Sequence, residues 1–285
     1  MMIINGFWKN MIKFKLTILF TLIIFNVYSQ SVINDYSKDK EYLLKLFSFG
    51  GYTPQNLDNS DTLEILINHG YAVGFSKKHN QPKWAIYQVS KEKKGTNYQR
   101  YPNFVDDLRL DSCNRIGTET FGRGLNLGHM IPNSAINTQY GKLSQMETFL
   151  MSNISPQTAE LNQGVWRKLE NKILNHYPYE KNTPNIWVIV GPIFNDNNDK
   201  IVRNNGVIVT IPSSYYCIII KPYRYPYDKS GNAEILSFIL NQNVERNKNI
   251  TNDDVFSIKE IEKLTNLKFF EYLSEKKYKT KNYNY

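Results

Sequence analysis

Apolar runs separated by short polar stretches mark out the middle of the chain. Trp84 to Val89, Ile186 to Phe194, Val207 to Ile211 and Tyr215 to Ile220 are short and rich in β-branched and aromatic residues, and they predict strands. Two helices carry clearer signals. Ser257-Ile258-Lys259-Glu260 has the capping-box pattern, in which the serine and glutamate side chains each satisfy a free backbone N–H, and it predicts a helix ending near Leu264. A second helix is predicted from about Asn162 to Asn175. At about 100° per residue, Trp166, Leu169 and Ile173 fall within about 40° of Asn162, so an asparagine sits in the middle of the apolar arc. Glu170 lies on the border of that arc. Unpaired burial of such groups costs on the order of 1–3 kcal/mol, so both need partners. A helix cap for Asn162 and plain solvation for Glu170 are the ordinary alternatives.

The first residues read differently. Lys9, Lys13 and Lys15 precede an apolar stretch from Leu16 to Val27, and Val27-Tyr28-Ser29 offers small residues for cleavage. This predicts a signal peptide over 1–29, with the mature protein secreted or periplasmic and without stable membrane association. A membrane anchor is the alternative, but the apolar stretch falls short of the roughly 20 residues that a spanning helix needs. Residues 30–65, with a short amphipathic pattern (Tyr42, Leu43, Leu44, Leu46, Phe47) and then Gly50-Gly51, read as a peripheral N-terminal segment. Residues 66–275 contain no linker or repeat and read as one domain. The end, 276–285, carries Lys276, Lys277, Lys279 and Lys281 among tyrosines and reads as a frayed, disordered basic tail.

Composition narrows the function classes. With 285 residues, 41% hydrophobic and 21% charged, the chain can bury a sizeable core, which excludes global disorder. Lys+Arg 35 against Asp+Glu 26 gives +9, a balance that suits a polyanionic partner and stays positive after loss of the leader lysines. Two cysteines exclude a disulfide-dense scaffold and a Cys-rich zinc module. In an oxidising compartment Cys113 and Cys217 either pair or stay as separate thiols. His69, His79, His129 and His176 show no His-x-x-x-His spacing, which argues against a histidine-rich zinc site.

The centre of the chain reads Gly128-His129-Met130-Ile131-Pro132, then Ser152-Asn153-Ile154-Ser155-Pro156-Gln157, then Leu161-Asn162-Gln163-Gly164-Val165-Trp166-Arg167-Lys168-Leu169-Glu170. This succession resembles the DNA/RNA non-specific endonucleases, a ββα-metal nuclease family with secreted bacterial and mitochondrial members. His69-Gly70-Tyr71, Pro82-Lys83-Trp84-Ala85-Ile86-Tyr87, Val190-Gly191-Pro192-Ile193-Phe194, Ile211-Pro212-Ser213 and the stretch from Ile261 to Phe270 also look like landmarks of the family. The resemblance spans roughly 66–275 in order. It implies an α+β fold with a central antiparallel sheet flanked by helices, and a ββα-metal motif over about 120–175. The first strand of the motif would end at His129, the second would include Asn153, and the helix would supply Asn162 and Glu170.

The resemblance also implies roles. His129 looks like the general base that deprotonates water, and Asn162 like the single protein ligand of a divalent metal. Glu170 looks like the carboxylate that holds a metal-bound water, and Asn153 like the site asparagine before the helix. Arg100 stands where the family often has a phosphate-contacting arginine. The cofactor would be Mg2+, with Mn2+ or Ca2+ as alternatives, and the substrates DNA and RNA, cut to 5′-phosphate and 3′-hydroxyl ends with little sequence preference. The chemistry is consistent. In-line attack on a phosphodiester needs charge stabilisation on both developing oxyanions. Magnesium keeps most of its waters, so one asparagine can anchor it. A neutral imidazole accepts a proton near neutral pH.

One position departs from the pattern. The family hallmark is Asp-Arg-Gly-His, and this chain has Asn126-Leu127-Gly128-His129. Leucine cannot bind phosphate as the arginine does. Arg123 shares its strand parity, but four extended residues place it about 13 Å away. Losing one charge-assisted contact costs on the order of 1.5–3 kcal/mol, roughly ten- to hundred-fold in rate. A catalytically weakened nucleic-acid-binding protein on the same fold is therefore the competing reading, and a nuclease toxin with a dedicated protein inhibitor is a third.

Overall fold

The computed structural model describes residues 39–92, 97–180, 185–195, 197–222, 233–270 and 278–280. The expected leader lies outside them. The chain divides into two units, Met1–Leu43 and Leu44–Tyr285. The described part of the first, residues 39–43, is helical, and the helix α1 runs over residues 39–47. No helix among the described residues is long and apolar enough to cross a membrane.

The second unit is built on a seven-stranded sheet. In chain order its strands are β2 (Leu63–Ile67), β3 (Tyr71–Ser76), β4 (Gln81–Ser90), β7 (Asn185–Ile193), β10 (Ser214–Pro222), β11 (Ala233–Asn241) and β13 (Tyr278–Thr280). The spatial order is β13-β11-β10-β7-β4-β3-β2. All neighbours are antiparallel except β11 and β13, which run parallel. Three small pairs lie outside this sheet: β1 (Gln55–Asn56) with β12 (Leu267–Lys268), β5 (Leu125–His129) with β6 (Ile154–Thr158), and β8 (Lys200–Val202) with β9 (Ile208–Thr210). The helices are α2 (Asn133–Tyr140), α3 (Lys142–Glu147), α4 (Arg167–Asn175) and α5 (Ile258–Thr265). The fold is α+β around a central antiparallel sheet, as the resemblance implies.

Both faces of the sheet are covered, so β3, β4 and β7 are buried along nearly their whole length. Their sequences consequently read as continuous apolar runs and not as alternation. On one face Tyr71, Val73, Tyr87, Val188, Tyr215 and Cys217 pack against α2, α4 and the turn just before α4, through Ile136, Val165, Trp166, Leu169 and Ile173. On the other, Tyr216 meets Phe269 edge-on and α5 lies against β7. Helix α5 opens on the expected cap: Ser257 Oγ accepts from Glu260 N, and Ser257 N donates to Glu260 Oε2.

Several boundaries differ from the sequence reading. The 30–65 segment already contributes structure, since β2 opens at Leu63 as an edge of the sheet and Gln55–Asn56 pairs with Leu267–Lys268. Within the basic tail, Tyr278–Thr280 is not frayed but pairs with Ala233–Ile235, where the sheet edge offers unpaired backbone groups. Cys113 is exposed and Cys217 is buried, and both are free thiols.

Candidate active site

The β5–β6 hairpin carries His129 at its end, paired with Ile154. Buried polar side chains dock this hairpin on the sheet. Ser155 Oγ donates to Gln81 Oε1 at 2.6 Å and lies 2.8 Å from Tyr215 OH, which in turn donates to the Pro156 carbonyl at 2.6 Å. Gln242, at the exit of β11, donates to the same carbonyl and accepts from Thr158 N. A Cβ on Gly128 would lie 2.1 Å from Gln157 Oε1, so the buried Gln157 side chain would have to move.

Aromatic rings surround His129. Phe149 meets it edge-on with centroids 5.1 Å apart, and Phe104 lies 5.4 Å away. The residue keeps some surface, yet its Nε2 is inaccessible and has no hydrogen-bond partner. Desolvation, and after it the charge of Arg100, push the imidazole down to about 3, so it is neutral at pH 7. Arg100 is exposed, with its guanidinium 4.9 Å from the Phe149 ring centroid. The structure thus brings Arg100 and His129 onto one ring.

Asn153 sits elsewhere than expected. It belongs to a 3-10 turn, Met151–Asn153, that precedes β6, and it is fully buried. Its Oδ1 accepts from Ile131 N, and its Nδ2 donates to the carbonyls of Ile131 and Thr148. With the Met130 N to Asn153 O bond, these contacts clamp the chain just past His129. All the amide's bonds go to backbone, so Asn153 fixes the chain just past His129.

Leu161–Trp166 forms a π-helical turn before α4, with a non-helical break at Gly164. The expected continuous α-helix is therefore offset at its start. A wider turn rotates the wheel, which brings Asn162 to half-buried and leaves Leu161, Val165 and Trp166 facing the core. A Cβ on Gly164 would approach the Arg246 carbonyl to 2.8 Å, so glycine permits this contact. Arg246 also donates to Gln163 Oε1, and Lys168 Nζ reaches the carbonyls of Asn247 and Lys248. The Asn162 amide has no hydrogen-bond partner among the described residues. Burial pushes the Glu170 carboxyl up to about 8, opposed in part by the nearby Trp166 indole and the charge of Arg167. The indole N–H itself reaches no partner in hydrogen-bond geometry.

No hydrogen bond joins His129 to Asn162 or Glu170. Among the described residues no group of three or more His, Cys, Asp and Glu could hold a metal. Asn162 and Glu170 offer oxygen ligands, one from an unpartnered amide and the other from a poorly solvated carboxyl group. That set suits a hard divalent cation that retains water ligands.

Leu127 packs on a small apolar cluster with Ile116, Phe121, Met151, Ile154, Ile201, Val207 and Val209. Nearby Arg203 is engaged elsewhere: it binds the carbonyls of Ile116, Gly117, Glu119 and Thr120. Arg123 is exposed in a turn with φ 52°. Sequence reasoning missed Phe104, Phe149 and Gln242, because an apolar run and a lone glutamine carry no mark of what they touch.

Residues 52–276 match the family model for DNA/RNA non-specific endonuclease. The chain belongs to the DNA/RNA non-specific endonuclease family. Among curated relatives, the human mitochondrial nuclease EXOG is 26% identical over 213 residues, covering 71% of this chain and 56% of that protein. The nuclease of Serratia marcescens is 23% identical over 212 residues, covering 71% and 73%. Against the first relatives matched, this endonuclease-family chain spans about half their length. A solved EndoG/EndoGI complex, from a study of EndoG inhibition, contains the same fold with a TM-score of 0.62 at 19% identity, covering 76% of this chain and 89% of that one.

Proposed function

We propose that this protein is a divalent-metal-dependent endonuclease that hydrolyses phosphodiester bonds of DNA and RNA with little sequence preference. The observation that carries the reading is a neutral imidazole beside an exposed arginine, on a strand pair followed directly by the π-helical turn that bears Asn162 and the helix that bears Glu170. His129 takes the proton of the attacking water on its imidazole ring. An incoming phosphate brings negative charge towards the imidazole and raises its basicity, so base strength follows substrate occupancy. Arg100 contacts a non-bridging phosphate oxygen. Asn162 would hold the cation with Glu170 close by as a further oxygen group, while Asn153 and Gly128 fix the strand end that presents His129. The cation, when bound, supplies charge stabilisation to the phosphate and the leaving oxygen. Recognition through phosphates accounts for the low sequence preference.

The test is cleavage of supercoiled plasmid with magnesium and with excess chelator. Cleavage should require the metal, and His129→Ala should reduce it by about a thousandfold or more with the fold intact. Cleavage by a folded His129→Ala protein at the original rate refutes the base assignment. Leu127 favours the second reading, a protein that binds nucleic acid without cutting it. Salt-sensitive DNA binding with no cleavage under any divalent metal would select it.

The leader supports export, so the mature chain is proposed to be secreted or periplasmic, beginning near Gln30. A protein inhibitor is a proposed partner, because one structural neighbour is solved as an EndoG/EndoGI complex that concerns EndoG inhibition.

A further inference from the structure

The loop that carries Arg100 is fixed from beneath by the α2–α3 segment. Asn137 pairs with both backbone groups of Tyr98, accepting from its N–H at 3.1 Å and donating to its carbonyl at 2.7 Å. Gln145, fully buried on α3, donates to the carbonyls of Gln99 at 3.0 Å and Tyr98 at 3.4 Å. Beyond Arg100, Val105 N donates to the Phe149 carbonyl and Met151 N to the Val105 carbonyl. Backbone bonds therefore bracket Arg100 on both sides and set it over residue 149.

Phe149 is 1% exposed and lies in the middle of this arrangement. Its ring touches Tyr101 at 5.8 Å, Phe104 at 5.5 Å and His129 at 5.1 Å, and the Arg100 guanidinium lies 4.9 Å from its centroid. The guanidinium makes no hydrogen bond or ion pair among the described residues, so its donors are available to an anion. An aromatic face attracts a cation, and an edge-on imidazole fits the same ring's quadrupole.

We propose that Phe149 is a positioning residue: its ring is the common platform that holds the phosphate-binding Arg100 and the base His129 in one register, so that both meet the same phosphate. This rests on the proposed nuclease function. With leucine at 127, the platform delivers a positive charge beside His129 from a different element. The contact matters most once charge develops on the phosphate, so its loss appears in kcat more than in KM.

The test is a double-mutant cycle. Arg100→Ala should lower kcat about tenfold or more when Phe149 is present. In a Phe149→Leu background, which keeps the apolar filling without the ring, the same change should cost less than about threefold, with KM little moved in either case. Losses of equal size in both backgrounds overturn the proposal. The second readout needs no activity: the heteronuclear NOE of the Arg100 Nε–Hε group should report order in the wild type and fall in Phe149→Leu. An unchanged NOE overturns the proposal; a fall supports it even if the wild type cuts no nucleic acid, an outcome that would refute the nuclease function separately. If Phe149→Leu does not fold, Arg100→Lys decides, because lysine keeps the charge without the planar group that lies on the ring. Full activity with lysine overturns the platform, and a loss near that of alanine supports it.

Discussion

Leu127 shows how one residue can leave a functional pattern without disturbing the fold around it. Its side chain joins the cluster of Ile116, Met151, Ile154 and Val209, so the strand gains apolar packing where the hallmark arginine would place a charge. Reversing the change should separate the two effects. Leu127→Arg is expected to raise the cleavage rate by up to about tenfold to a hundredfold and to lower stability by about 1–3 kcal/mol. Plasmid cleavage and urea melts of the same protein check both signs, and a slower, less stable variant would show that the arginine has no seat here. His129, Asn162 and Glu170 were singled out in the sequence by the ordered motifs that resemble the family, and Asn162 and Glu170 also by polarity at odds with the apolar arc of the predicted helix. Asn153 was legible as a site residue but not in its task, since bonds to the carbonyls of Ile131 and Thr148 leave no trace in spacing.

Among the elements, strands with uninterrupted apolar runs were readable, and β4, β7, β9 and β10 fall where the pattern put them. Strand β11 was not, because Glu234 and Ser237 break its run and pairing on both sides decides it. Helix α2 was equally hidden: Asn133–Tyr140 has Ala135 and Ile136 as its apolar contribution to the core, too little for a stripe. The π-helical turn is the most instructive miss. A wheel drawn at constant pitch puts Asn162 at the centre of the apolar arc, whereas in the π-helical turn it is half-buried with an unpartnered amide. Gly164→Ala should therefore act at a distance from its own position. Its new Cβ would meet the Arg246 carbonyl at 2.8 Å, so the turn must shift and Asn162 with it. The expected result is a loss of about 1–3 kcal/mol in stability and a severalfold higher magnesium concentration for half-maximal cleavage. Wild-type magnesium dependence in a folded Gly164→Ala protein would sever the turn from the metal.

For the whole molecule, the sheet order was out of reach of the sequence because it rests on pairings distant along the chain, such as Ala85 with Val190 and Ala233 with Tyr278. The family resemblance supplied what periodicity could not. A molecule-wide consequence of burial is its response to acid. His79, stacked on Phe194 with centroids 3.8 Å apart, is pushed down to about 4 by desolvation, and His129 to about 3. Both bind protons more readily when unfolded, so their contribution is complete above about pH 6.5 and is lost as pH falls towards the folded values. Melting temperature should fall between pH 6.5 and 4, and His79→Gln should flatten that slope. A slope unchanged in His79→Gln would show that the imidazole is not held neutral.

The docking of the β5–β6 hairpin has a thermal consequence. The strands β5 and β6 themselves form a stretch attached to the sheet through a few buried polar bonds, from Ser155, Tyr215 and Gln242, whereas α2 and α4 are held on it by apolar packing. Such a stretch can detach in a subglobal opening while the seven strands stay paired. The temperature at which the protein stops working is then set by the hold of one serine, one tyrosine and one glutamine, and lies below the temperature at which the sheet melts.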